Sequence, residues 1–90
     1  MTDMWVDGNA LGGPLGEVLG VDVSGAVGRC GGCGRTGPVA EARVYDRAPG
    51  LVARCLGCER VLLRMVRAPG RAWLDLRGLA YLELALPDDG

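Results

Sequence analysis

Hydrophobic and polar positions along this chain follow a helical period near the start and a period of two almost everywhere after it. Between Asp7 and Gly20, the residues Leu11, Leu15, Val18 and Leu19 recur at i, i+4, i+7 and i+8, one face of a helix. Asp7 or Asn9 can cap such a helix, whereas Gly12, Gly13 and Pro14 weaken its first turns. Pro14 can instead open a shorter helix that ends at Gly20. A short helix within residues 9–20 is therefore expected, covering a sheet or packing on a partner. Val21, Val23 and Val27 then read as extended chain. In residues 38–45, Val39, Glu41, Arg43 and Tyr45 fall on one face and Ala40, Ala42 and Val44 on the other. Residues 51–54, 61–67 and 71–77 read as further strands, and Ala48-Pro49-Gly50 and Ala68-Pro69-Gly70 as the turns that bracket the middle of the chain. In residues 71–77, Ala72, Leu74 and Leu76 share a face opposite Trp73, Asp75 and Arg77. A last apolar row, Ala80, Leu82, Leu84 and Leu86, follows Gly78.

Composition makes a core from these elements hard to build. Glycine supplies 16 and proline 5 of the 90 residues, nearly twice the usual combined share of about 12%. There is no phenylalanine, and Trp5, Tyr45, Trp73 and Tyr81 are the only aromatics. Such a chain loses much backbone entropy on folding and has few bulky side chains to offset it. Domains this small are commonly stapled by disulfides or a metal. Tyr45 and Trp73 are expected in the core or in hairpin packing rather than as platforms for a ligand.

The staple is visible in the cysteines. Cys30-Gly31-Gly32-Cys33 and Cys55-Leu56-Gly57-Cys58 form two C-x2-C pairs separated by 21 residues. Two intervening residues let one tight turn deliver both sulfurs to one ion while backbone N–H groups bond them. The glycines at 31, 32, 34 and 57 suit such turns. The segment between the pairs reads as a hairpin that returns the chain to the first knuckle. Sulfur-only tetrahedral coordination suits zinc, so Cys30, Cys33, Cys55 and Cys58 are the expected ligands of one structural Zn²⁺. Iron is the lesser alternative: a rubredoxin-like electron carrier uses the same four sulfurs but wraps its iron in aromatics this chain lacks. Structural disulfides and a thioredoxin-type redox pair fit two glycine-rich knuckles poorly.

With those knuckles the expected fold is mainly β: a zinc-ribbon-like antiparallel β meander with a short N-terminal helix. One domain over residues 1–90 is expected, with a helical segment at 7–20, knuckles and meander at 26–86, and tails at 1–6 and 87–90. Catalysis is not expected. Histidine and lysine are absent, which excludes imidazole bases, Schiff-base lysines and P-loop lysines. Four cysteines close the metal shell, and Ser24, the only serine, has no base to activate it. No catalytic or organic-cofactor-binding residue is assigned. The start of the chain is acidic and unlike a signal peptide, and no apolar run approaches the roughly 20 residues of a membrane span. A cytoplasmic protein with no membrane contact is expected.

Charge bears on partners. Residues 28–77 hold all ten arginines against four carboxylates, a net of +6, while residues 1–27 carry −4 and residues 78–90 carry −3. Four metal-bound thiolates would lower the middle toward +4. A basic middle permits an anionic partner, but the acidic ends can equally fold back and neutralise it. Direct nucleic-acid binding ranks below protein–protein contact here, because no aromatic pair sits at stacking spacing within the basic block. The apolar rows at Leu11, Leu15, Val18 and Leu19 and at Leu82, Leu84 and Leu86 lead to the further expectation that at least one is buried between chains, most simply in a homodimer.

Several stretches taken together carry a resemblance. They are Asp7-Gly-Asn-Ala-Leu11, Gly28-Arg-Cys-Gly-Gly-Cys-Gly34, Val44-Tyr45, Ala48-Pro-Gly-Leu-Val-Ala-Arg-Cys-Leu-Gly-Cys58, Val61-Leu-Leu-Arg64 and Trp73-Leu-Asp-Leu-Arg-Gly78. Over roughly Asp7 to Leu84 the chain resembles a family of small actinobacterial proteins classed as a domain of unknown function with zinc-ribbon-like cysteines. The resemblance implies a cytoplasmic zinc-binding protein and leaves a role beside redox enzymes open. The function expected from sequence is thus a non-catalytic zinc-binding interaction or accessory module. An arginine-based nucleic-acid binder and an iron electron carrier or redox-enzyme partner are the alternatives.

Overall fold

The computed structural model describes residues 5–20, 22–23, 25–47 and 50–86. The turn expected at Ala48-Pro49-Gly50 and the tail after Leu86 fall wholly or partly outside them. Among the described residues no helix is long and apolar enough to cross a membrane.

Among the described residues the chain is mainly β, with two antiparallel sheets and one short α-helix. Strand β1 (Val6–Asp7) leads into a 3₁₀ turn, Gly8–Leu11, and then α1, Gly12–Leu19. Pro14 lies in the first turn of α1, where its missing N–H has no partner to lose. The helix stops where Gly20 turns to φ 73° and its N–H reaches the Gly16 carbonyl at 2.8 Å. Strands β2 (Val27–Cys30) and β3 (Thr36–Pro38) carry the first knuckle between them. Next come β4 (Arg43–Arg47), β5 (Gly50–Arg54), β6 (Val61–Ala68) and β7 (Arg71–Asp75), followed by β8 (Leu79–Glu83).

The expected meander is β4 to β7, which with β1 forms a five-stranded sheet in the order β1-β4-β5-β6-β7. The last strand does not extend it. Gly78 redirects the chain, and β8 pairs with β2 in a second sheet of order β3-β2-β8. Asp75 makes the redirection local. Its carboxylate accepts bonds from the Arg77 backbone N–H at 3.0 Å and from the Arg77 guanidinium at 2.7 and 3.1 Å. That side-chain turn ends β7 two residues before the expected strand end at Arg77.

Two other expectations about strands are corrected. Residues 38–45 are not one strand, because residues Val39–Glu41 form a 3₁₀ turn. Pro38 has no N–H to give a ladder, Val39 N–H bonds the Ala26 carbonyl, and Ala42 N–H closes onto the Val39 carbonyl at 2.9 Å. A turn of that kind puts i and i+3 on one side, so Val39 and Ala42 are both buried, although strict alternation separates them. The last apolar row also shifts parity. Pairing of β2 with β8 is irregular at Arg29/Cys30, so Leu79, Leu82 and Leu84 pack on the core while Ala80 is exposed and Leu86 is 72% exposed.

Core residues come from both sheets and the helix. Leu15 of α1 is fully buried in one cluster with Val44, Leu51, Ala53, Leu63 and Met65, so the helical row folds onto the chain's own sheet. Leu19 joins it, Val18 lies at the surface, and the Leu11 side chain is outside the described set. Because Leu15, Leu82 and Leu84 are packed within the chain, the two rows no longer argue for a dimer. Glu17 of α1 reaches Arg67 of β6 at 2.6 Å, an ion pair in which the acidic start meets the basic middle. No aromatic belongs to the buried core. Trp73, expected in the core or in hairpin packing, is 54% exposed opposite Val66.

Candidate metal centre

Each knuckle repeats one backbone scheme on the same local sequence, Cys-x-Gly-Cys-x-Arg. In the first, Gly34 N–H bonds the Cys30 carbonyl at 3.0 Å and Cys30 N–H bonds the Arg35 carbonyl at 2.9 Å. In the second, Glu59 N–H bonds the Cys55 carbonyl at 2.9 Å and Cys55 N–H bonds the Arg60 carbonyl at 2.8 Å. The middle glycines aim their amides at sulfur: Gly32 N–H to Cys30 Sγ and Gly57 N–H to Cys55 Sγ, both at 3.3 Å. A Cβ on either glycine would meet the arginine of the opposite knuckle, Arg60 over Gly32 and Arg35 over Gly57. Two guanidinium stems thus flank the sulfurs, each supplied by the other half of the site.

Both turns close through a left-handed residue after the second cysteine. In the first this is Gly34 at φ 78°, in the second Glu59 at φ 66°, the only described non-glycine residue with positive φ. A side chain in that region costs about 1–2 kcal/mol. Glu59→Gly is accordingly expected to raise stability by about 1 kcal/mol, less the small value of the exposed Arg43–Glu59 pair at 3.5 Å. Urea melts of the metal-loaded protein check this, and a lower midpoint for the variant would contradict it.

All four predicted sulfur atoms come together, within 4.8 Å of one another. The close approaches run between knuckles, Cys30 to Cys58 at 3.6 Å and Cys33 to Cys55 at 3.7 Å. These are far from a disulfide length, and all four thiols are free. They do match a tetrahedral cage, since bonds of ~2.3 Å from a central zinc place sulfurs ~3.8 Å apart. Cys30 and Cys55 are buried, Cys33 and Cys58 exposed. The donor set, its spacing and its amide bonds therefore fit one metal ion.

Electrostatics point the same way. Cys30 is brought down to about 6, first by the backbone N–H of Cys33 and then, against burial, by that of Gly32. Burial pushes the Cys55 thiol up, but the amides of Cys58 and Gly57 outweigh it and the net shift is downward. Cys58 has the Arg60 amide pulling it down; burial and the three neighbouring sulfurs push harder, and it rises to about 11. Amides draw the first proton off, and accumulated negative charge holds the last one on. A bound cation removes that obstacle.

The pocket against Cys30 and Cys55 is tight, about 30 Å³, and is lined by Val39, Leu56, Leu62 and Leu79 together with Arg35 and Glu41, and by no aromatic. Gly31 N–H bonds the Gly78 carbonyl at 2.8 Å, which ties the first knuckle to the β7–β8 link. That role of Gly78 carries no signal in the cysteine spacing, nor does the left-handed Glu59. Ser24 lies outside the described residues.

No curated protein and no solved structure matches this sequence in comparison searches. A family match covers residues 1–87. The chain belongs to the family of unknown function DUF6510, and within it the four-cysteine cluster of this protein is positioned to hold a metal ion.

Proposed function

We propose that this protein is a non-catalytic interaction module whose fold is closed by one structural zinc ion on Cys30, Cys33, Cys55 and Cys58. The observation that carries the reading is the sulfur cluster itself: four thiols within 4.8 Å, with cross-knuckle separations of 3.6 and 3.7 Å. Four cysteine ligands fill a tetrahedral shell and leave no open position for substrate, which argues for a structural ion over a catalytic one. Zinc is favoured over iron because no aromatic side chain lines the pocket beside the buried sulfurs, unlike the wrapping that a rubredoxin-like carrier provides. A protein of this size that works without chemistry of its own acts through its surface, inside the cell, on a partner.

The expected result is one zinc per chain and a colourless protein, read by native mass spectrometry and visible absorption after purification without added metal. Red iron-loaded protein would replace this reading with electron transfer, and a folded metal-free chain would remove it.

A further inference from the structure

We propose that the open face of the five-stranded sheet binds single-stranded nucleic acid, stacking bases on Tyr45 and Trp73 and pairing phosphates with Arg54 and Arg64. This names the partner of the interaction module and rests on that reading. Strand register, invisible in the spacing of the sequence, gathers the face. Tyr45, Val52, Arg64 and Asp75 stand in one row across β4 to β7, and Val66 and Trp73 stand side by side in the next. The opposite face of the same strands carries the core residues Val44, Ala53, Leu63 and Met65.

Three observations select the partner. First, the aromatics stay out of the core of a chain that is short of bulk, with Trp73 54% exposed. Trp73 and its cross-strand neighbour Val66, itself 40% exposed, leave an apolar patch on this face. Second, the guanidinium groups of Arg54 and Arg43 lie over the rings of Tyr45 and Trp5 at 5.8 and 5.1 Å, so cations and rings alternate across the face. Third, its arginines outnumber its carboxylates. Glu59 and Asp75 pair with Arg43 and Arg77, Asp75 also stands across from Arg64, and Arg54 donates to the Glu59 carbonyl at 2.9 Å, while the side chain of Arg60 bonds no described residue. Arg60, Arg64 and Arg77, with Asp75 as the one carboxylate among them, line an open cleft of about 420 Å³ at the edge of this face. Rings for bases beside guanidinium groups for phosphates are what a single strand requires. A duplex keeps its bases stacked inside, and a second copy of this chain would set like charges against each other.

Fluorescence anisotropy tests the inference with the zinc-loaded full chain and fluorescein-labelled 12-nucleotide single strands, RNA and DNA, beside the same sequence as duplex. Saturable binding to single strands is expected, weaker for the duplex and falling with salt. Trp73→Ala should weaken it about tenfold or more, and Arg64→Gln should flatten the salt slope by about 0.7. Tyr81→Ala, on the other sheet, should change it less than twofold. Quenching of tryptophan fluorescence in the unmutated chain supplies a readout that no variant's folding can affect. No saturable binding at low salt, equal affinity for duplex, or a Tyr81→Ala loss as large as that of Trp73→Ala overturns the proposal. Zinc content measured on the same samples separates the two readings: a zinc-loaded chain that ignores single strands defeats only this inference, and a folded metal-free chain that binds them defeats only the zinc site.

Discussion

Chelation of the metal from purified protein is expected to abolish the folded state, and re-addition of zinc to restore it. The magnitude follows from what else holds the chain together. Twelve described residues form the buried hydrophobic set; two of these are Cys30 and Cys55 and three are alanines, with no aromatic among them. Small domains retain roughly 5–15 kcal/mol of stability, and cysteine-rich zinc sites couple about 10 kcal/mol or more of metal binding to folding. Without the ion, burial and then the three neighbouring sulfurs push Cys58 up to about 11. The two knuckles join β2 and β5, which belong to different sheets, so losing the ion removes a crosslink between the sheets. Circular dichroism with and without chelator reads this directly. A metal-free chain that keeps its β spectrum and a cooperative melt would show that the core suffices.

Gly78→Ala is expected to be the most damaging single-methyl change in the sequence outside the ligands, along with Gly8→Ala. A Cβ built at Gly78 falls 1.8 Å from the Val61 carbonyl oxygen and 2.7 Å from the Leu62 Cα, and one at Gly8 falls 1.8 Å from the Val39 carbonyl oxygen. These are backbone atoms, so no rotamer change relieves them. At Gly78 the displaced backbone would also carry the carbonyl that accepts from Gly31 and the N–H that bonds Leu62 at 3.1 Å. A loss of about 3 kcal/mol or more is expected at each, at the upper end of overpacking costs. Gly13→Ala serves as the control: nothing lies within 4 Å of its Cβ, and inside a helix the change should add about 0.5–1 kcal/mol. Denaturant midpoints of the three variants, with zinc content recorded, decide the matter. Equal midpoints for Gly78→Ala and Gly13→Ala would mean that the backbone at Val61 moves freely.

Much of this architecture is legible in the sequence. Of the helical row Leu11, Leu15, Val18 and Leu19, Leu15 and Leu19 pack on the core as a period of 3.6 predicts, while Val18 lies at the surface. Residues 51–54 and 61–67, read as strands, lie in β5 and β6, with Leu51, Ala53, Leu63 and Met65 on the buried side. The cysteine spacing alone specified the four residues that converge, since a C-x2-C turn fixes the distance within each pair and a hairpin returns one pair to the other.

Other features depend on groups that meet only after the chain has folded. Pro38 ends a strand that the alternation of its neighbours continues, because a missing N–H outweighs side-chain pattern where the Val39 amide already bonds Ala26. The final strand leaves the meander for β2 after the local Asp75–Arg77 turn because Gly78 fits against the backbone of Val61 and Leu62, a contact between residues distant in the sequence. Trp73 and Tyr45 share an open face through the pairing register of four strands, and register is set by hydrogen bonds between strands, which no single strand encodes. The sequence by itself determined which cysteines converge and where apolar rows run, as both are local in spacing. The tertiary structure alone decided which sheet each strand joins and which aromatics face outward, because both are properties of pairs.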